Sequence, residues 1–254
     1  GFCARIVEAV DIRPGETVVE IGPGRGALTD GLVQAVGARG GQLVLVEIDD
    51  ELAGVLTDRY RGCPNVRVVH GDILDYPLQG LATDVDLLSV VGNIPYNITS
   101  PILFHVLRPP RPRELLLTVQ VEVADRILAE PGTREYGALT VGVRSAAEVE
   151  RVLTVPAGAF RPRPKVDSGV IRIRPMRPAP MTPDEEGRLR DLTRALFQWR
   201  RKQLGKILRE HPDLRLVPAD VERALAAAGA VATDRPEEVG PPELVALTRS
   251  LPAR

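Results

Sequence analysis

Short aliphatic and β-branched runs alternate with helix-period stretches through the first two-thirds of the chain. That alternation predicts a largely parallel sheet with helices on both faces. Residues 17–21, 43–48, 66–70, 85–91, 115–121 and 169–173 read as strands. Residues 5–10, 27–36, 50–60, 100–107 and 122–129 read as intervening helices, the last stopped by Pro131 and Gly132. Residues 149–155 add a strand near the end of the sheet, so the later strands need not all be parallel. After residue 173 the pattern changes. Pro175, Pro178, Pro180 and Pro183 forbid a continuous helix and remove backbone donors, the signature of a linker. Beyond it, residues 184–208, 219–228 and 241–251 carry helix-period apolar positions and no strand signal. The expected organisation is an α/β domain over residues 1–177 and a small helical domain over residues 178–254.

Composition narrows the class of protein. Apolar residues at 44% and charged residues at 26% are those of an ordinary globular chain, and no apolar run is long enough to span a bilayer. No charged-then-apolar leader opens the chain, and Cys3 and Cys63 set neither a disulfide framework nor metal-ligand spacing. A soluble, cytoplasmic protein without a metal is expected. The formal charge of −1 argues against a surface coated for nucleic acid, but it hides two local clusters. Arg188, Arg190, Arg194, Arg200, Arg201, Lys202 and Lys206 face Asp191 alone between residues 187 and 206. Arg161, Arg163, Lys165, Arg172, Arg174 and Arg177 form the second cluster, opposed by Asp167.

Glu20-Ile21-Gly22-Pro23-Gly24-Arg25-Gly26 follows the first strand and leads into a helix. Glycines in such a turn allow close backbone approach to a ligand, while the helix start offers free N–H donors. Glu47 ends the second strand, where an acid accepts hydrogen bonds from both hydroxyls of a ribose. A tight turn before a helix would explain the glycines alone but not Glu47 as well. These residues suit either a dinucleotide or S-adenosylmethionine. The spacing G-P-G-R-G differs from the G-x-G-x-x-G that receives a pyrophosphate, and Glu20 would repel phosphate but suit a cationic amino-acid group. Asp72, after the third strand, is placed to accept from an adenine amino group, with Ile48 and Ile73 packing near the base.

Asn93-Ile94-Pro95-Tyr96 follows the fourth strand, at the carboxyl edge where open α/β sheets bind ligands. Its residue types suit an adenine exocyclic amine, a poor nucleophile because its lone pair is delocalised into the ring. The Asn93 side-chain carbonyl and the Pro95 main-chain carbonyl can accept from that amine and favour a more tetrahedral nitrogen. Tyr96 offers a face on which an extruded base can stack. Neither a metal nor a strong base is needed if the methyl donor is activated by its own positive charge. His70, His105 and His211 are scattered and read as structural.

Together these motifs resemble the ribosomal RNA adenine dimethyltransferase family, which includes the KsgA-type small-subunit enzymes and the macrolide-resistance methyltransferases. The likeness spans nearly the whole chain and is carried by Asn93-Ile94-Pro95-Tyr96-Asn97-Ile98, Gln120-Val121-Glu122-Val123-Ala124-Asp125-Arg126 and Phe160-Arg161-Pro162-Arg163-Pro164-Lys165-Val166-Asp167-Ser168. Arg200-Arg201-Lys202-Gln203-Leu204 resembles the family's signature at the start of its helical domain. The resemblance implies a Rossmann-like class I methyltransferase sheet with a small C-terminal helical, RNA-binding domain. It places Gly22, Glu47, Asp72 and Asn93 on S-adenosylmethionine, with Glu20, Gly24, Ile48 and Ile73 beside them, and Phe160 against a flipped adenine. S-adenosylhomocysteine would be the product.

The P-K-V-D-S and Q-x-E-V-A-x-R segments favour the housekeeping enzyme that modifies two adjacent adenines near the 3′ end of small-subunit RNA, acting as a monomer on RNA or on a pre-assembled subunit. A large-subunit resistance enzyme and a catalytically idle RNA-binding assembly factor are the alternatives. A DNA adenine methyltransferase would carry a large target-recognition insertion, and a nicotinamide-dependent dehydrogenase is the more distant reading. Family members carry a further segment before the first helix with a Q-x-F-L-like motif, whereas this sequence starts at Gly1-Phe2-Cys3; the start is expected to be truncated or disordered. Arg200, Arg201, Lys202 and Lys206 are the expected phosphate contacts. Phe197 and Trp199 are expected to pack the small domain. Arg108, Arg111 and Arg113, among prolines, suggest a stiff basic loop near the catalytic edge.

Overall fold

The structure is a computed structural model that describes residues 1–252. The chain forms two compact units, one made of Gly1–Ala124 with Val149–Pro175 and the other of Asp125–Glu148 with Met176–Arg254. A single cut near residue 177 therefore matches only the second crossing. Residues 125–148 go with the helices because Ala129, Tyr136 and Val141 belong to the helical core.

The first unit is built on strands β1 (Thr17–Ile21), β2 (Gln42–Glu47), β3 (Val66–His70), β4 (Leu88–Asn93), β5 (Glu114–Gln120), β6 (Ala147–Val155) and β7 (Ser168–Pro175), in the order β3-β2-β1-β4-β5-β7-β6. The pairs among β1 to β5 are parallel, and β7 runs antiparallel to β5. This is the largely parallel sheet expected from the alternating pattern, in the Rossmann-like form that the family resemblance implied. Helices α1 (Phe2–Ala9), α2 (Thr29–Gly37), α3 (Asp50–Tyr60), α4 (Thr99–Val106) and α5 (Val121–Leu128) connect or flank the strands, with the far half of α5 in the second unit. The central strands are apolar almost throughout, as buried parallel strands must be, with Val18, Leu43, Leu45, Leu88, Val90, Leu115 and Leu117 fully enclosed.

One boundary moved in a way that matters. Residues 85–87, expected to be strand, form a 3₁₀ turn because the Asp84 carboxylate accepts the Asp86 N–H. Strand β4 therefore begins at Leu88 and extends to Asn93. Gly92 permits this, since a Cβ there would stand 2.9 Å from the Ile21 carbonyl oxygen of the adjacent strand.

The opposite, amino-terminal edge of the sheet is closed by ionic bonds. Glu16 is fully buried and accepts from Ser89 Oγ at 2.7 Å and Arg113 Nε at 2.8 Å, and Arg113 also bonds Asp11. Arg111 is buried and donates to the Leu107 carbonyl. The 108–113 segment precedes β5 and so lies at the edge away from the carboxyl ends of the strands. Its suggested place near the catalytic edge is corrected: two of its three arginines hold the fold.

The second unit contains α6 (Ala138–Arg144), α7 (Pro183–Gln198), α8 (Leu204–Glu210), α9 (Pro218–Ala228) and α10 (Pro241–Ser250) around Leu192, Leu196, Ile207, Leu208, Leu244 and Leu247. Helix α7 starts with a reciprocal cap between Thr182 and Glu185 and Pro183 in its first turn. The single helix expected over residues 184–208 is broken at Trp199–Gln203. The break leaves no orphaned donors at the start of α8, because Leu204 N–H bonds the Asp234 carbonyl and Gly205 N–H bonds that of Ala232. No helix among the described residues is long and apolar enough to cross a membrane.

Candidate functional site

The strand order reverses between β1 and β4, and a cleft opens at the carboxyl ends of strands at such a point. Register sets what meets there. Ile21 pairs with Val46 on one side and Gly92 on the other, Glu47 pairs with His70, and Asn93 pairs with Thr118 of β5. The glycine turn, Glu47, the Gly71-Asp72 corner and Asn93 are therefore neighbours along one edge, although they span more than seventy residues of sequence.

Gly22 and Gly24 have φ of +63° and +58°, a left-handed conformation that a side chain would strain. Nothing lies within 4 Å of where their Cβ atoms would stand, so the turn forms an open cradle. Gly24 N–H donates to Glu47 Oε2 at 2.8 Å, and Asp49 N–H donates to Oε1 at 3.0 Å. Each oxygen of Glu47 thus keeps acceptor capacity after fixing the turn to the end of β2. Asp72 uses Oδ1 to cap Leu74 N–H, and Ile73 beside it is buried. Ile48 is 63% exposed, an apolar side chain held out at the same edge.

Glu20 lies beneath the turn and is only 2% exposed. Its Oε2 accepts from Thr29 Oγ1 at 2.8 Å, at the first residue of α2. Burial pushes the Glu20 carboxyl up to about 7; the Thr29 bond opposes this, and the negative charges of Glu47 and Asp30 add to it. The acid is therefore poised to ionise near neutrality. Thr29 was not singled out from the sequence; its signal is a hydroxyl at the helix start facing a buried acid.

Asn93 is exposed at the tip of β4, and its backbone is fixed against β5 by its register with Thr118 and by Ile94 N–H donating to the Thr118 carbonyl at 3.0 Å. Pro95 behaves differently from the expectation. Its carbonyl accepts from Ile98 N–H at 3.1 Å and from Thr99 Oγ1 at 3.2 Å, so both lone pairs serve the turn into α4. Tyr96 is half-buried with its hydroxyl 2.7 Å from Ser168 Oγ. Phe160 is half-buried against the core of the first unit, at the end of the 3₁₀ turn Ala157–Ala159.

In the second unit the four expected phosphate contacts, Arg200, Arg201, Lys202 and Lys206, line one depression with Trp199, of about 480 Å³. They are not equivalent. Arg200 bonds Glu237 at 2.6 Å and the carbonyls of Thr133 and Arg134, a structural clasp rather than an available cation. Lys206 pairs loosely with Glu210, while Arg201 and Lys202 are exposed. Trp199 and Phe197 pack on the helical core, as expected. His105 and His211 bond Tyr76 and Gln198, and no cluster of metal-ligand residues occurs among the described residues.

Comparison with known proteins bears on this geometry. Residues 2–227 match the family model described as ribosomal RNA adenine dimethylase. A ribosomal RNA small subunit methyltransferase A from Xanthomonas axonopodis pv. citri is 43% identical over 82% of this chain and 78% of its own length. The protein of the same name from Thermosynechococcus vestitus is 40% identical over 98% of this chain and 91% of its own. Among solved structures, the 23S rRNA methyltransferase ErmE superposes with a TM-score of 0.71 and 31% identity, covering 98% of this chain and 96% of that one.

Proposed function

Because the chain belongs to the ribosomal RNA adenine dimethylase family, we propose that it transfers methyl groups from S-adenosylmethionine to the exocyclic amines of two adjacent adenines near the 3′ end of small-subunit ribosomal RNA. The observation that carries this reading is the pairing of Ile21 with Gly92, which sets the glycine turn beside Asn93. A methyl donor on one loop and an amine on the other then meet without any movement of the sheet.

The residues present suit the cofactor. The open turn at Gly22 and Gly24 receives its amino-acid part, with the Glu20 charge beneath a cationic group. Glu47 accepts from the ribose hydroxyls, Asp72 from the adenine amino group, and Ile48 and Ile73 cover that ring. S-adenosylmethionine supplies a methyl group already activated by a positively charged sulfur. The chain's own task is to present the nucleophile. Asn93 Oδ1 accepts from the target amine. With the Pro95 carbonyl engaged by Ile98 and Thr99, the main-chain carbonyl of Ile94 is the second acceptor in this reading. Two acceptors on one amine draw its hydrogens to one side and turn its lone pair toward the methyl. Tyr96 and Phe160 hold the extruded base.

Arg201 and Lys202, with Lys206, neutralise RNA phosphates in this reading, and Arg200 holds the surface on which they stand. The double variant Arg201→Ala/Lys202→Ala should reduce the slope of log affinity against log salt by about 1.5, with folding intact. Arg200→Ala should instead lower the melting temperature, since it strands Glu237. We place the protein in the cytoplasm, acting as a monomer on the RNA or on a pre-assembled small subunit.

The likeness to ErmE keeps a large-subunit substrate as the second reading. The deciding experiment is methyl transfer by the full-length protein to immature small-subunit particles and to large-subunit RNA, followed by primer extension. Paired stops near the 3′ end of the small-subunit RNA are expected. Stops confined to the large-subunit RNA would favour the second reading. RNA binding without any cofactor binding would make the protein an assembly factor.

A further inference from the structure

Residues 167 and 168 tie together both loops that carry the aromatic side chains of the site. Ser168 is fully buried at the start of β7, paired with Gln120 of β5. Its hydroxyl meets the Tyr96 hydroxyl at 2.7 Å. The Asp167 carbonyl accepts Val121 N–H at 3.0 Å, and its Oδ1 accepts Ala157 N–H at 2.8 Å, at the opening of the turn that ends in Phe160. The tip of β5 thus anchors one dipeptide, and that dipeptide anchors Tyr96 through one bond and the Phe160 turn through another.

A phenol ring fixed only at its Cα end samples rotations about two bonds, and each misaligned rotamer takes its face off the base. A hydrogen bond at the far end of the ring removes that freedom before the base arrives. We propose that Ser168 is a positioning residue for adenine methylation: it holds the Tyr96 ring in the orientation that stacks the target base, while Asp167 sets the turn bearing Phe160. Ser168 touches neither cofactor nor amine in this arrangement, and it acts through Tyr96. The inference rests on the reading of Tyr96 as the base-stacking residue.

The test is a double-mutant cycle in the full-length protein, measured as single-turnover methyl transfer to immature small-subunit particles. Ser168→Ala and Tyr96→Phe should each slow transfer by about threefold to tenfold, the range of one lost buried hydrogen bond. The double variant should be no slower than either single, and Ser168→Thr, which keeps the hydroxyl, should recover most of the rate. Affinity for S-adenosylhomocysteine and the melting temperature should stay close to those of the parent in all of them. A parent-like rate for Ser168→Ala, or effects of the two single variants that multiply in the double, would overturn the proposal. A parent protein that binds the cofactor but methylates no adenine would instead remove the functional reading beneath it.

Discussion

Asn93→Ala should slow methyl transfer by about two to three orders of magnitude, the loss expected when a preorganised acceptor at the reacting atom is removed. The effect should fall on kcat, because the bond to the amine strengthens as nitrogen turns tetrahedral on the way to the transition state. Stability should be unaffected. The Asn93 side chain is exposed, and its place is set by backbone: Gly92 lies close against Ile21, Asn93 is in register with Thr118, and Ile94 N–H bonds the Thr118 carbonyl. Rapid-quench transfer kinetics beside a thermal melt would check both halves. A variant retaining more than about a third of the parent rate would remove Asn93 from the chemistry.

Glu20 gives the second large effect, and it works in opposite directions on stability and on binding. In the unfolded chain its carboxyl ionises near 4.5, and in the folded protein burial raises this to about 7. Between those values the folded state holds a proton that the unfolded state has lost. The resulting stability is fully present below pH 4.5 and is lost as pH rises through 7, a change on the order of 3 kcal/mol. In the proposed role for Glu20 the cationic ligand needs the ionised form, so its affinity should rise with pH up to about 7 and level off above it. Glu20→Gln keeps an oxygen for the Thr29 hydroxyl but cannot ionise. At pH 8 it should melt at a higher temperature than the parent without ligand, yet bind S-adenosylmethionine about tenfold or more weakly, with the pH dependence of binding gone. Calorimetry at pH 6, 7 and 8 would decide; equal pH profiles for parent and variant would exclude Glu20 from the binding of charge.

The elements that position the site were legible because they depend on local pattern. The strands at 17–21 and 66–70 and the helix at 50–60 have the bounds read from the sequence. The order of the glycine turn, Glu47, Asp72 and Asn93 along the chain was enough to line them up once a parallel sheet was inferred. What was illegible depends on contacts far apart in sequence. Helix α6 has a glycine before its first residue, Gly137, another within it, Gly142, and several β-branched residues, so its local preference is weak. It is held by Thr140 Oγ1 bonding the Arg126 carbonyl and Tyr136 bonding that of Val239. The helix break at Trp199–Gln203 depends on the loop near Asp234. Among the basic residues, charge alone could not tell Arg200 and Arg113, bound to buried or clasped acids, from Arg201 and Lys202.

The path of the chain between the two units has a bearing on protein engineering. A fragment ending at residue 177 would keep Ala129, Tyr136 and Val141 but lose the helices that enclose them, leaving an apolar surface prone to aggregation. A minimal catalytic module must remove residues 125–148 as well, and join Ala124 to Val149 through a short designed connector. Exchange of the helical part between relatives likewise requires two segments to be swapped together, so this fold can trade its helical half only as a matched pair.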